Sequence, residues 1–272
     1  MSSPSVIQDA VEQLYQVFAK YPLAEETGPC SGCHSPQAEE LLRAESLRNL
    51  QWKHLREFAN DAFLTWGDLD DFKHLLPRIF DLVLNASEWS KTPSPESVFA
   101  KLRYGEWWTW PEEEHAAIER MLAAVWQTVL SNPPIVGGFI EVELWLCCIA
   151  QCVSDLEPYL NQWMEDDRPS ACWALSSLIL SSSVAYQGRN HRDAWWDRCE
   201  EHYSCLQKWV RSDAVIEKLR RAETCCASEE MAAELRIAQK CVHEAWSMRF
   251  EPVYRQRLYQ TAYWDAPCYR LY

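Results

Sequence analysis

Three groups of residues in this sequence have the types and spacing to do chemistry. The first is Cys30-Ser31-Gly32-Cys33-His34, spelled CxxCH. That spelling serves covalent haem attachment in exported c-type cytochromes, and a CxxC pair can also form half of a zinc site. The start Met1-Ser2-Ser3-Pro4-Ser5 lacks the basic and apolar regions of an export signal, which argues against haem. With Pro29 in front, the pair is also spelled like half of a zinc deaminase site. No histidine precedes His34, however, so the upstream His-x-Glu of those enzymes is missing. What remains is a structural zinc held by Cys30, Cys33 and His34 with a fourth ligand from elsewhere, or a loop carrying two reduced thiols.

The second group is Asp68, Asp70, Asp71 and His74. Asp70 and His74 stand four apart on a helix, a spacing that can present two metal ligands or set a carboxylate against an imidazole. Acids in a first helical turn also answer the helix dipole, and Asp68 with Asp71 has the spacing of a capping box. Arg78 can pair with one of these acids. The third group is the aromatic turn holding Trp107, Trp108 and Trp110, the best binding candidate in the chain. Tryptophan is enriched in interface hot spots, yet rings beside Pro111 serve equally well as a wedge between helices. His191-Arg192-Asp193 matches a kinase catalytic-loop triplet with nothing else of a kinase around it. There is no Walker A, GxGxxG, GxSxG or HExxH spelling, so no local signature supports an enzyme.

The elements that must position these groups read as helices. Only 7 glycines occur in 272 residues, too few for the turns of a β-rich or doubly wound fold. Ser35-Pro36 opens a long helix, and Leu55, Phe58, Ala59, Ala62, Phe63 and Trp66 continue its apolar stripe until Gly67 closes it. Asp68 then caps a second helix with core face Phe72, Leu75, Leu76, Ile79, Phe80 and Val83, bent at or tolerant of Pro77. Pro95 to Tyr104 forms a short helix, and Pro111 opens another with Ile118, Met121, Leu122, Val125 and Trp126 inward. Glu112, Glu113 and Glu114 read as a solvated helix start. Later breaks fall near Pro158, Pro169, Ser212 and Ser228. The expectation is an all-α, antiparallel pile of about ten helices, compact or solenoid-like. It forms one domain over 1–272, with a weaker boundary near 87–95.

The run Thr65-Trp66-Gly67-Asp68, followed by Asp70-Asp71-Phe72-Lys73-His74-Leu75-Leu76-Pro77-Arg78, resembles the core of an uncharacterised bacterial protein family. That family also carries a cysteine pair upstream and a Lys-Leu-x-Tyr-x-x-Trp-x-x-Trp-Pro-x-x-Glu segment downstream. Lys101-Leu102-Arg103-Tyr104, Trp107, Trp110-Pro111 and Glu114 match the latter. The resemblance covers about the first half of the chain. It implies a bacterial, intracellular protein and carries no activity.

Composition completes the reading. The formal net charge of -14 repels nucleic acid and anionic membranes and favours a basic protein partner. The 12 cysteines without an export signal read as reduced thiols in the cytoplasm, and no apolar run reaches a membrane span. The expected function is a protein-binding module, most concretely an immunity-type protein that neutralises a bacterial toxin domain by direct binding. The alternative is a zinc-binding helical protein or metal-dependent enzyme built on the Cys30, Cys33 and His34 loop.

Overall fold

In a computed structural model of the chain, residues 5–28, 36–85, 94–132, 141–181, 184 and 194–244 are described. Among them the all-α expectation holds, with twelve α-helices and no strand. The chain divides into two compact units, Met1–Thr128 with Cys147–Val153, and Val129–Leu146 with Ser154–Tyr272. Most of the 87–95 segment, read above as a weaker boundary, lies outside the described residues.

The first unit is built on α1 (Val6–Phe18) packed against α4 (Leu69–Leu84). A capping box starts α1, with Gln8 N–H donating to Ser5 Oγ at 3.2 Å and Ser5 N–H to Gln8 Oε1 at 2.9 Å. The buried face of α4 is the one its periodicity predicts, and the helix runs through buried Pro77 to Leu84. The helix expected to open at Pro36 is instead three pieces: α2 (Pro36–Leu42), a 3-10 turn (Leu47–Asn49) and α3 (Trp52–Asp61). Tertiary hydrogen bonds account for the break. The Arg43 guanidinium donates to the carbonyls of Ala24 and Glu25, and Arg78 Nε donates to Leu50 O at 2.6 Å, holding buried Leu50 outside any helix. Arg78 also pairs with Asp81 at 2.6 Å, one turn further along α4, rather than with the acids at the helix start.

The unit is completed by α5 (Pro95–Tyr104), most of α6 (Glu112–Ser131) and the end of α7 (Glu141–Cys152). Cys147, Cys148 and Cys152 are buried and act as small core fillers.

The second unit holds α8 (Glu157–Glu165), α9 (Pro169–Ser181), α10 (Glu200–Val210), α11 (Asp213–Cys225) and α12 (Glu229–Glu244). Its starts follow local signals: Pro158 in the first turn of α8, Pro169 opening α9, and Ser212 Oγ accepting from Val215 N–H at 3.3 Å. The stripe Leu235, Ala238 and Val242 on α12 is fully or nearly fully buried, and α12 packs on α9 and α11. A buried lysine ends α8. Lys218 Nζ donates to Met164 O at 3.1 Å and Asp166 O at 2.8 Å, and meets Asp167 Oδ1 at 3.0 Å. No helix among the described residues is long and apolar enough to cross a membrane.

Lys218 satisfies two carbonyls that no other helical partner reaches, and each orphaned carbonyl costs about 1–3 kcal/mol. Lys218→Ala is therefore expected to lower stability by at least about 2 kcal/mol in urea unfolding. A loss below about 0.5 kcal/mol, the range of ordinary surface substitutions, would show that α8 ends without it.

Candidate functional site

The corner between α3 and α4 begins where α3 stops, at Asp61 rather than at the expected Trp66. Buried Lys101 Nζ donates to Ala62 O at 2.9 Å, so this carbonyl has a tertiary partner where α3 ends. Phe63 then takes a left-handed backbone, φ 67°, rare for a bulky residue. Its ring lies 4.9 Å from that of Phe72 by centroids, while the next residue, Leu64, points outward. Gly67, φ 70°, closes the turn, and a Cβ there would stand 2.6 Å from Phe58 Cε2. Both the backbone angle and the space demand glycine.

Residues 66–74 clamp the 21–28 loop. Asp68 caps α4 as expected: its Oδ1 accepts from Asp70 and Asp71 N–H at 2.9 and 3.0 Å, and Asp71 Oδ2 accepts from Asp68 N–H at 3.2 Å. Buried Asp71 also accepts from Ala24 N–H at 3.1 Å. His74 Nδ1 lies 2.7 Å from Tyr21 O and, facing a carbonyl, carries the proton there. Trp66 Nε1 donates to Thr27 Oγ1 at 2.6 Å, and Gly67 N–H to Thr27 O at 3.1 Å. Thus Asp71 and His74 bind backbone, and Asp70 is exposed in the first turn of α4.

The centre of the site is a residue the sequence reading placed in solvent. Glu114 is 0% exposed. Its Oε1 accepts from Tyr21 O–H at 2.6 Å and Lys20 Nζ at 2.8 Å, and Lys73 Nζ sits 2.7 Å from Oε2. Lys73, itself buried, donates to Tyr21 Oη at 3.1 Å and stands 4.6 Å from the Trp110 ring centroid and 4.9 Å from that of Tyr21. Burial alone would raise the Glu114 carboxyl, but the hydrogen bonds from Lys20, Lys73 and Tyr21 outweigh it and hold it below the usual carboxylate value. Burial, then Glu114, pushes the Tyr21 phenol up to about 12, so it remains a donor. Every charge in the cluster is engaged by a neighbour, an arrangement suited to holding structure. The overlooked signal is spacing: Glu114 precedes Ala117, Ile118 and Met121 by three, four and seven residues, on the same helical face.

The aromatic turn hangs from this cluster. Trp107 Nε1 donates to Cys152 O at 2.8 Å and Trp110 Nε1 to Gly105 O at 2.7 Å, burying both indoles. Between them, in a 3-10 turn (Trp107–Thr109), Trp108 is 51% exposed. Glu106 before it is left-handed at φ 49°. Tyr104 and Leu64 are 52% and 61% exposed, so three of the four large hydrophobic residues exposed among the described residues fall in this corner. The corner is contiguous: Lys101 spans from Ala62 O to 5.7 Å from the Tyr104 ring centroid, and the Phe63 ring abuts Gly105. Glu26, Asp68, Asp70, Glu106, Glu112 and Glu113 are exposed on the same elements, as is Arg103. A depression of about 430 Å³, lined in part by Glu26, Gly28, Leu64, Thr65 and Asp68, opens beside Leu64.

Cys30, Cys33 and His34 lie outside the described residues, and among the described residues no group of three or more His, Cys, Asp or Glu could hold a metal.

Two substitutions test this construction. Gly67→Ala forces a Cβ into the Phe58 ring at a left-handed angle and is expected to cost about 1–3 kcal/mol in urea unfolding; no loss would contradict the close approach. Glu114→Gln leaves Lys73 buried without its charge partner and is expected to cost about 3–5 kcal/mol at neutral pH. Because the folded-state pKa of Glu114 is depressed, its contribution is present above the unfolded carboxylate range near 4.5 and is lost as pH falls through the lower folded value. The stability gap between wild type and Glu114→Gln should therefore close in acid, and a pH-independent gap would contradict the assignment.

Compared with protein-family models, with curated proteins and with solved structures, the chain finds no match, so the site is read from its own chemistry.

Proposed function

We propose that the protein is a protein-binding module, most concretely an immunity-type protein that neutralises a cognate bacterial toxin by direct binding in the cytoplasm. The observation that carries this reading is the exposed cluster of Leu64, Tyr104 and Trp108 on backbone fixed from beneath. Large apolar side chains presented on a rigid support bind with little loss of conformational freedom, and tryptophan is prominent among interface hot spots. Left-handed Phe63 and Glu106 flank the cluster, and such strain concentrates at functional sites. The acids around it, in a chain of net charge -14, favour a basic partner and speed its encounter.

The test is to recover partners from the native host and to express the neighbouring genes for toxicity, with and without this protein. Trp108→Ala is expected to weaken the complex by at least about 2 kcal/mol while leaving the thermal midpoint unchanged. Association should slow as salt rises, because exposed charges are screened. A host with no partner and no toxic neighbour, or full protection by a Leu64→Ser/Trp108→Ala double variant, would contradict the proposal.

A further inference from the structure

Among the described residues two buried side-chain atoms have no hydrogen-bond partner, Glu114 Oε2 and Arg211 Nη2. The first is compensated by Lys73 Nζ, 2.7 Å away in an ion pair. The second is not. Among the described residues no acceptor takes a hydrogen bond from the Arg211 guanidinium, and no carboxylate pairs with its charge. Arg78 shows what a part-buried arginine ordinarily finds: its Nε donates to Leu50 O at 2.6 Å, and its Nη1 meets Asp81 Oδ2 at 2.6 Å. The chain has 40 acidic residues, so the missing partner is a matter of position rather than of supply. That position is fixed from both sides. Arg211 ends α10, where its N–H donates to Trp209 O, and it follows fully buried Val210. Ser212 then caps α11 through Val215 N–H. Burial lowers the guanidinium from its ordinary value, and among the described residues only the Tyr203 phenol acts in the other direction. Tyr203 is itself buried, its ring centroid 5.3 Å from that of buried Trp196 in a 3-10 turn (Ala194–Cys199). A phenol offers an oxygen but no carboxylate charge. A sealed guanidinium nitrogen without an acceptor costs free energy, and such a group in a folded chain calls for a physical account.

We propose that Arg211 is the receptor for a small oxyanion, the carboxylate or phosphate group of a soluble ligand, which supplies the counter-charge that the described residues do not. The guanidinium fork matches both groups, since each can accept two parallel N–H bonds. Arg211 as a whole is only part-buried, so an ion can approach it from solvent. It is recessed among buried neighbours rather than displayed, which suits a small ion better than a protein surface. A net charge of -14 repels polyanions such as nucleic acid, whereas a small ion meets mainly the local cation. This site lies in the second unit and is independent of the protein-binding reading above.

The probes are inorganic phosphate and acetate, each titrated against chloride at constant ionic strength, with urea unfolding as the readout. Binding should lower the unfolding equilibrium constant saturably, about elevenfold at ten times the dissociation constant. Saturation by phosphate alone identifies a phosphate ligand, and saturation by acetate alone a carboxylate. Phosphate also stabilises proteins by exclusion from their surface, but that effect needs no particular side chain. Arg211→Met keeps the length, removes the charge and should abolish the saturable part. In chloride it should be at least as stable as the wild type, because it takes an unpaired charge out of a part-buried place. Arg211→Lys keeps the charge without the fork and should bind about tenfold more weakly. Arg56→Met, at an exposed arginine of the first unit, should leave the gain intact. Calorimetric titration of the wild type reads the same binding without any variant. No saturable gain and no heat of binding from either anion overturns the proposal, as does an equal gain in Arg211→Met. An Arg211→Met chain clearly less stable than the wild type in chloride overturns it too, since the chain would then supply its own counter-charge.

Discussion

A carboxylate taken wholly out of water is the constraint on which the first unit depends. Glu114 carries a charge into the interior, where an uncompensated ion costs several kcal/mol, and three donors compensate it there. Those donors come from the turn that follows α1 and from α4, while Glu114 itself belongs to the first turn of α6. One charge thus fixes three segments against one another. The Lys73 ammonium, held by Glu114, lies near the faces of both Tyr21 and Trp110, so the same charge also sets the aromatic turn. The two stretches 62–78 and 101–114 meet through Lys73 with Glu114 and through Lys101 with Ala62 O.

This fixed interior explains an exposed exterior. Trp107 and Trp110 spend their indole N–H groups on buried carbonyls, which leaves Trp108 no inward place in a single tight turn. Phe63 turns its ring inward at the cost of a left-handed backbone, and Leu64 is thrown outward as a result. Side chains held this way give up little freedom when they bind, which is the physical link from the buried charge to the proposed recognition of a protein.

Much of the fold was legible because local rules agree with it. The core face of α4, its Asp68 cap and the start of α11 at Ser212 follow from spacing and capping chemistry. The breaks at Leu42 and Asp61 were not legible, because carbonyls at Ala24, Glu25, Leu50 and Ala62 take side-chain donors distant in sequence. The site was legible in outline only. The tryptophans and acids mark the right corner, yet the roles of Asp71 and His74 as backbone clamps depend on a loop about fifty residues away. Glu114 looked like one of three helix-start acids; its place on the apolar face of α6 distinguishes it.

The claim that one buried charge joins the two stretches is tested most directly by a double-mutant cycle on Lys73 and Glu114, using Lys73→Met, Glu114→Gln and the pair, read by urea unfolding at neutral pH. A coupling of about 1–3 kcal/mol is predicted, with the double variant losing less than the sum of the single losses. Additive losses, within about 0.5 kcal/mol, would contradict the account.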